Sequence, residues 1–349
     1  MISVKAGLEA GNPLQIKNWN DKISDSSRAS IFHTQNWAAV LAETFGYEPL
    51  YFFTEDRGQM QALFPLMEVN SRLTGKRGVS LPFTDMCDPL LPASVMPMEI
   101  LSAVLQLGKK RNWATFEMKG GFAGRAALTP SAEFHTHHLN LERQSDEIFA
   151  GFKSNARRNI RKARRCGVTV KICQSLDALK AYARLNAITK KRHGIPAQPF
   201  SFFNQIHRHI ISQNYGNIAL AYYKEEPIAG AIFFHFGNKV VFNLGASDKR
   251  FQNLRPNNLM MWEAARHYAL NGFTSLSFGI TDLHNEGLRR FKSGISTSEK
   301  TICYHKFNFQ SNHFIQDNAS ATLSRRKILK KMPIGLLKVS GAVLYKHYG

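Results

Sequence analysis

The 349-residue chain is poor in cysteine: Cys87, Cys166, Cys173 and Cys303 stand apart, with no Cys-x-x-Cys pair and no metal-ligand spacing. That excludes a disulfide scaffold or a zinc finger, predicts no bound metal, and fits reduced thiols in the cytoplasm. No stretch reaches the ~18 apolar residues of a membrane-spanning helix. The opening MISVKAGLEAGNPLQ lacks the basic start and apolar run of a secretory signal, which again points to the cytoplasm. Acidic residues are scarce too. Against 25 Asp and Glu stand 46 Lys and Arg, a formal net charge of +21. An excess of that size draws in phosphates, nucleic acid or anionic lipid.

What is present is enough for two domains, because the chain exceeds the roughly 250–300 residues at which one core stops growing. Trp37, Val40, Leu41 and Phe45 recur at helical spacing within Thr34 to Phe45. Pro49 to Phe53 and Met60 to Val69 read as strands turned by Asp56-Arg57-Gly58. A helix over Met98 to Lys110 and a strand over Trp113 to Met118 follow. The later chain repeats that order. A helix over Phe200 to Gln213 precedes strands at Ile218 to Tyr223, Ile228 to Phe236 and Lys239 to Ala246, then a helix over Asn257 to Leu270 and a strand over Thr274 to Phe278. The expectation is an α/β (α+β) protein in which one unit is used twice, with domains at residues 1–150 and 151–310 and a basic tail at 311–349.

Three stretches carry chemistry. Lys153 to Lys171, KSNARRNIRKARRCGVTVK, predicts a helix over Asn155 to Cys166 closed by Gly167. Arg157, Arg161 and Arg164 or Arg165 recur at i, i+4, i+7 and i+8, a continuous cationic ridge with no acid inside the stretch. Like charges so spaced oppose a helix by a few tenths of a kcal/mol per pair, which a phosphate-bearing partner would relieve; a solvated face is the plainer alternative. In Ser275 to Gly294, SLSFGITDLHNEGLRRFKSG, a strand breaks at Gly279 into a polar loop with Asp282, His284 and Asn285. A short helix follows in which Leu288 and Phe291 pin one face to a core and Lys292 projects beside Phe291, a fixed cation able to stabilise developing negative charge. In the irregular stretch Gly78 to Leu91, Asp85 or Asp88 could hold a substrate amine, though a turn-capping aspartate is commoner.

Phe278-Gly279, Gly287-Leu288 and Phe291-Lys292 resemble the signature of the Fem-type (FemABX) transferases of the GNAT-like superfamily, over about Ile31 to Phe309. The resemblance implies two tandem GNAT-like domains, each a mixed, mainly antiparallel sheet flanked by helices. It puts stabilisation of the reacting acyl group on Lys292, with Phe291 beside it; no general base stands out in the sequence, which leaves Asp282, Asp85 or the substrate itself. It puts phosphate contacts on Arg192 within Thr189-x-x-Arg192-x-Gly194, a task suited to a planar guanidinium fork, and basic-helix contacts on Arg158, Arg161 and Lys162. Asn243 to Ser247 is similar to a family Tyr-x-Gly-Ala-Ser pattern with asparagine in place of the aromatic, so Asn243 and Ser247 are substrate-side candidates. Where acyl-CoA-dependent relatives carry a glycine-rich pyrophosphate loop, Gln252 to Asn257 has no glycine, and Pro256 lacks an N–H. Arg250, Arg255 and Asn257 are left to meet a cofactor's anion.

The implied activity is amide-forming aminoacyl transfer from aminoacyl-tRNA to a phosphate-bearing, small-molecule or lipid-linked acceptor resembling a peptidoglycan precursor, with no tightly bound cofactor. The alternatives are an acyl-CoA-dependent N-acyltransferase of polysaccharide or envelope biosynthesis, and a non-catalytic RNA-binding protein. In the tail, Arg325, Arg326, Lys327, Lys330, Lys331, Lys338 and Lys346 meet no acid, and Ile334 to Tyr345 is mainly apolar. Two readings stand open: a segment lying on the anionic inner leaflet, or a helix docked on the first domain.

Overall fold

The computed structural model describes residues 2–5, 8–91, 97–120, 128–316, 329–330 and 332–347. Arg325, Arg326, Lys327 and Lys331 of the basic tail lie outside these. The chain divides into two units, one of residues 1–134, 302–319 and 345–349, the other of 135–301 and 320–344. The divisions fall away from residues 150 and 310, and 311–349 do not form a segment of their own.

The first unit opens with β1 (Ile2–Lys5), β2 (Leu8–Gly11), α1 (Trp19–Ser24) and α2 (Gln35–Phe45). Thr34 caps α2 by accepting the Trp37 N–H at 3.3 Å, and Gly46 closes it at φ 73°. Then come β3 (Glu48–Pro49), β4 (Tyr51–Asp56), β5 (Gln59–Phe64), β6 (Met67–Ser71), β7 (Gly75–Val79), α3 (Pro97–Lys110) and β8 (Thr115–Lys119). The single strand expected over Met60 to Val69 is two. Pro65 has no N–H to extend a ladder, so β5 stays in the β1-β2-β4-β5 sheet while β6 joins β3, β7 and β8 in another. Neighbours there are antiparallel except β7 and β8, which α3 connects in parallel.

The chain enters the second unit within β9 (Ala132–Asn140), followed by α4 (Ser145–Gly151), α5 (Ser154–Arg165), β10 (Thr169–Cys173), α6 (Leu176–His193) and α7 (Phe200–Ile206). The expected helix to Gln213 leaves α-geometry at His207 for a π turn over His207–Ile211. Strands β11 (Gly216–Tyr223), β12 (Glu226–Phe236) and β13 (Lys239–Ser247) extend β10 as an antiparallel meander. Helix α8 (Pro256–Leu270) then carries the chain to β14 (Ser275–Asp282), parallel to β13. Among the described residues each unit thus has a parallel strand pair joined by a helix, β7-α3-β8 and β13-α8-β14. The repeated element order predicted the helix followed by a strand in each, and the structure adds the parallel pairing. After α9 (Glu286–Lys292) come β15 (Ser298–Asn308), its partner β16 (His313–Ile315) and α10 (Ile334–Leu344), which packs on α6 of this unit.

Two irregularities shape this sheet. A β-bulge between the pairs Ile232↔Leu244 and Phe233↔Phe242 leaves Asn243 without a cross-strand partner on β12. The β13–β14 ladder ends at Val241↔Ser277, although the strands continue to Ser247 and Asp282. Gly279 does not break β14; it passes at φ 67°, open to glycine without strain, and the strand runs on.

Helix α5 is held by its narrow apolar face, Ala156, Ile160 and Ala163, all buried in the unit's main core with Met260, Ala264 and Trp262 of α8. Ile160→Ala is expected to cost about 2–5 kcal/mol, read from the urea midpoint, because 0% exposure leaves the void no solvent to fill it.

Candidate active site

Asn285 caps α9, its Oδ1 accepting the Leu288 N–H at 3.1 Å. Lys292 stands in the last turn, but it does not project outward. It is 4% exposed, and Nζ donates to the Ile280 carbonyl at 2.7 Å. Ile280 follows Gly279, in the length of β14 that has left β13. Phe291 is half-buried against the core, whereas Leu288 is 37% exposed and pins nothing. Asp282 is exposed at the strand's end. Two buried polar atoms belong to the same parting strands: Asn243 Nδ2 on β13 and Thr281 Oγ1 on β14, neither with a hydrogen-bond partner among the described residues. A buried polar group without a partner costs roughly 1–3 kcal/mol.

Beside Lys292 lies a network that the sequence reading missed. Glu299 on β15 takes Arg289 Nη2 at 2.6 Å and Nε at 3.1 Å, and His137 Nε2 of β9 lies 2.8 Å from its Oε2. Since a carboxylate only accepts, Nε2 carries the proton and Nδ1 is the lone-pair nitrogen, buried and without a hydrogen bond among the described residues. Burial lowers the affinity of His137 for a second proton despite Glu299, and the nearby Lys292 charge acts in the same direction, so the ring is neutral at pH 7. Hydrogen bonding from Arg289 pulls Glu299 down to about 2. The residues come from three elements up to 162 positions apart, and no local pattern joins them.

The basic helix begins beside this site. Lys153 N donates to Gly294 O at 3.0 Å, and a Cβ on Gly294 would lie 3.6 Å from that of Ala156, so α5 starts against the segment that follows Lys292. From there Ser154, Arg158, Arg161, Arg164 and Arg165 line a groove of about 580 Å³. The ridge is rotated from the one expected. Arg157 is half-buried with its Nε enclosed, while Arg158, Arg161, Lys162 and Arg165 are exposed. Nor is the charge wholly uncompensated, because Glu263 of α8 pairs with Arg164 at 2.7 Å.

A second cluster gathers at the end of β13. Thr189 Oγ1 lies 2.9 Å from Ser247 N and 3.1 Å from Ser247 O, and Arg192 Nη1 approaches the same carbonyl at 3.5 Å. Arg250 is spent internally: its Nε and Nη2 meet Asp248 Oδ2 at 2.9 and 2.7 Å, and Nη2 lies 3.4 Å from Glu226. Those bonds hold the Asp248 carboxyl below its ordinary range. Arg255 takes the left-handed region at φ 60° ahead of Pro256, Asn257 is half-exposed, and the Asn258 N–H already serves Arg255 O. With Pro256 at the first helical position, that N-terminus offers few donors and fits a CoA pyrophosphate poorly. Asp85 and Asp88 belong to the first unit, where their carbonyls accept from Tyr304 and His33. No group of three His, Cys, Asp or Glu able to hold a metal occurs among the described residues.

Residues 150–293 match the family model described as an acetyltransferase (GNAT) domain, so the second unit is a GNAT-type domain and the protein an acyltransferase. No curated protein matches the chain. Among solved structures, FemX is similar over 87% of this chain and 98% of its own at 14% identity, TM-score 0.63. The C-terminal domain of a putative lysylphosphatidylglycerol synthetase from Agrobacterium fabrum is similar over 90% and 95%, with 13% identity and TM-score 0.55. A tandem GNAT protein from the clavulanic acid biosynthesis pathway is similar over 86% and 98%, with 10% identity and TM-score 0.54. The fold is therefore a tandem GNAT-like one, similar to that of FemX.

Glu299, depressed to about 2 from an ordinary 4.5, stabilises the fold above pH about 4.5 and loses that contribution as pH falls toward 2. Urea unfolding should accordingly find Glu299→Gln less stable than wild type at pH 7 and the gap narrower at pH 3.

Proposed function

We propose that the enzyme forms an amide bond by aminoacyl transfer from aminoacyl-tRNA to the amine of a phosphate-bearing cell-envelope precursor. The observation that carries this reading is the Lys153–Gly294 hydrogen bond, which seats the start of an arginine-lined groove against the segment following a buried lysine. A groove of that charge suits a phosphodiester backbone, whose neutralised phosphates dominate affinity. The poor fit of the α8 N-terminus to a pyrophosphate favours tRNA over acyl-CoA as donor. The names of two structural neighbours, FemX and lysylphosphatidylglycerol synthetase, lean the same way.

In this reading the acceptor amine attacks the ester carbonyl of the donor, the new C–N bond forms, and the ester oxygen leaves with the tRNA ribose. The carbonyl oxygen becomes an oxyanion in the tetrahedral intermediate. Lys292 supplies the positive charge for it, held in place by Ile280 O and shielded from water, where a fixed cation acts most strongly. The attacking amine sheds a proton to His137 Nδ1, whose ring Glu299 orients through Nε2 as Arg289 orients Glu299. This base replaces Asp282 and Asp85. Arg192 beside Ser247 holds an acceptor phosphate.

Lys292→Met is expected to lower kcat about 10²–10³-fold with the fold retained by circular dichroism. In the wild type, kcat should fall on the acid side as His137 protonates below its ordinary range, and His137→Gln should lose that limb. Treating the donor with RNase before the assay should abolish transfer; undiminished transfer from acetyl-CoA in RNase would overturn the donor assignment.

A further inference from the structure

Helix α10 packs on α6, with Leu337 and Gly341 buried, and it lies close to the segment after α6: a Cβ on Gly341 would come within 1.8 Å of the Ala197 carbonyl. Its opposite face is bare. Leu336, Val339 and Val343 are 57%, 62% and 57% exposed, three of the ten large apolar side chains standing in solvent among the described residues. At about 100° per residue they fall within one stripe roughly 60° wide. Beside the stripe, Lys338 and Ala342 of α10 join Arg184, Lys180, Pro199 and Phe200 around a cavity of about 730 Å³. Phe200 is itself 43% exposed at its mouth. The acid at the rim, Asp177, is paired to Lys180 at 3.1 Å. From Asn318 to Gly349 the chain contains no acidic residue.

We propose that the α6–α10 face docks on an anionic lipid bilayer, with Leu336, Val339 and Val343 entering the acyl boundary and Arg184 and Lys338 meeting lipid phosphates. The dimensions favour a bilayer over a protein. Eleven residues span about 16 Å, half of a hydrocarbon core, so the helix lies in the interface and does not cross it. Three side chains also supply far less than the roughly 800 Å² per partner of a standard protein interface. An interfacial helix needs only one apolar stripe and neighbouring cations, each of the latter worth about a factor of five in partitioning to an anionic surface. For the acyltransferase proposed above, such docking would hold the enzyme where lipid-linked acceptors lie, and none of the residues it uses has a part in the reaction proposed there.

The test is cosedimentation of the full chain with vesicles of phosphatidylcholine, alone or mixed with phosphatidylglycerol. Binding is expected to the mixed vesicles only, weakening with salt, and Leu336→Glu with Val339→Glu should reduce it at least about tenfold at unchanged melting temperature. Lys292→Met should bind as wild type does, so failure of the catalytic reading leaves this one standing. Equal binding to both vesicle types would overturn the proposal. So would full binding by the double variant alongside loss in Arg158→Glu with Arg161→Glu, since the arginine groove would then be the lipid contact. A dimer in light scattering that the double variant dissolves would assign the face to a second copy instead.

Discussion

The second unit depends on how a charged amine is kept out of water. A buried ammonium is tolerated only with a partner, and Lys292 has the Ile280 carbonyl at 2.7 Å. That carbonyl belongs to the stretch of β14 beyond its last pair with β13. The bulge at Asn243 and the positive φ of Gly279 lie on the two strands that part, and Asn243 Nδ2 and Thr281 Oγ1 of those strands are buried without a hydrogen bond among the described residues.

Charge in this protein divides into what the fold spends on itself and what it keeps for others. Arg250 is committed to Asp248 and Glu226, Arg164 to Glu263, and Arg289 to Glu299. Arg158, Arg161, Lys162 and Arg165 stand exposed together on α5, and Arg184 and Lys338 line the cavity beside α10. A net charge of +21 therefore does not spread evenly as a non-specific attraction. The α5 array starts at the segment after Lys292, whereas the α10 cations sit beside exposed apolar side chains.

Much of the architecture was legible before any coordinates, because its signals are short. Thr34 before α2, Pro256 opening α8 and Gly194 at φ 67° closing α6 each act through their own backbone or the next turn. Apolar patterning placed β11 to β14, and Gly167 marked the end of α5, for the same reason. Strand β9 was not legible: AEFHTHHLN interleaves histidines where a strand reader seeks valine or isoleucine, and the reason for them is Glu299, far along the chain.

The sequence alone determined the repeated helix-then-strand order and the basic, acid-free helix, since spacing and composition act over a few residues. Only the tertiary structure decided that Lys292 turns inward, that the arginine ridge is rotated toward Arg158, that Arg250 is already paired, and that His137 and Glu299 stand beside the lysine. Those outcomes depend on which strands part and which helices pack together, and a charge finds its partner through space, where neighbours along the chain give no hint of it.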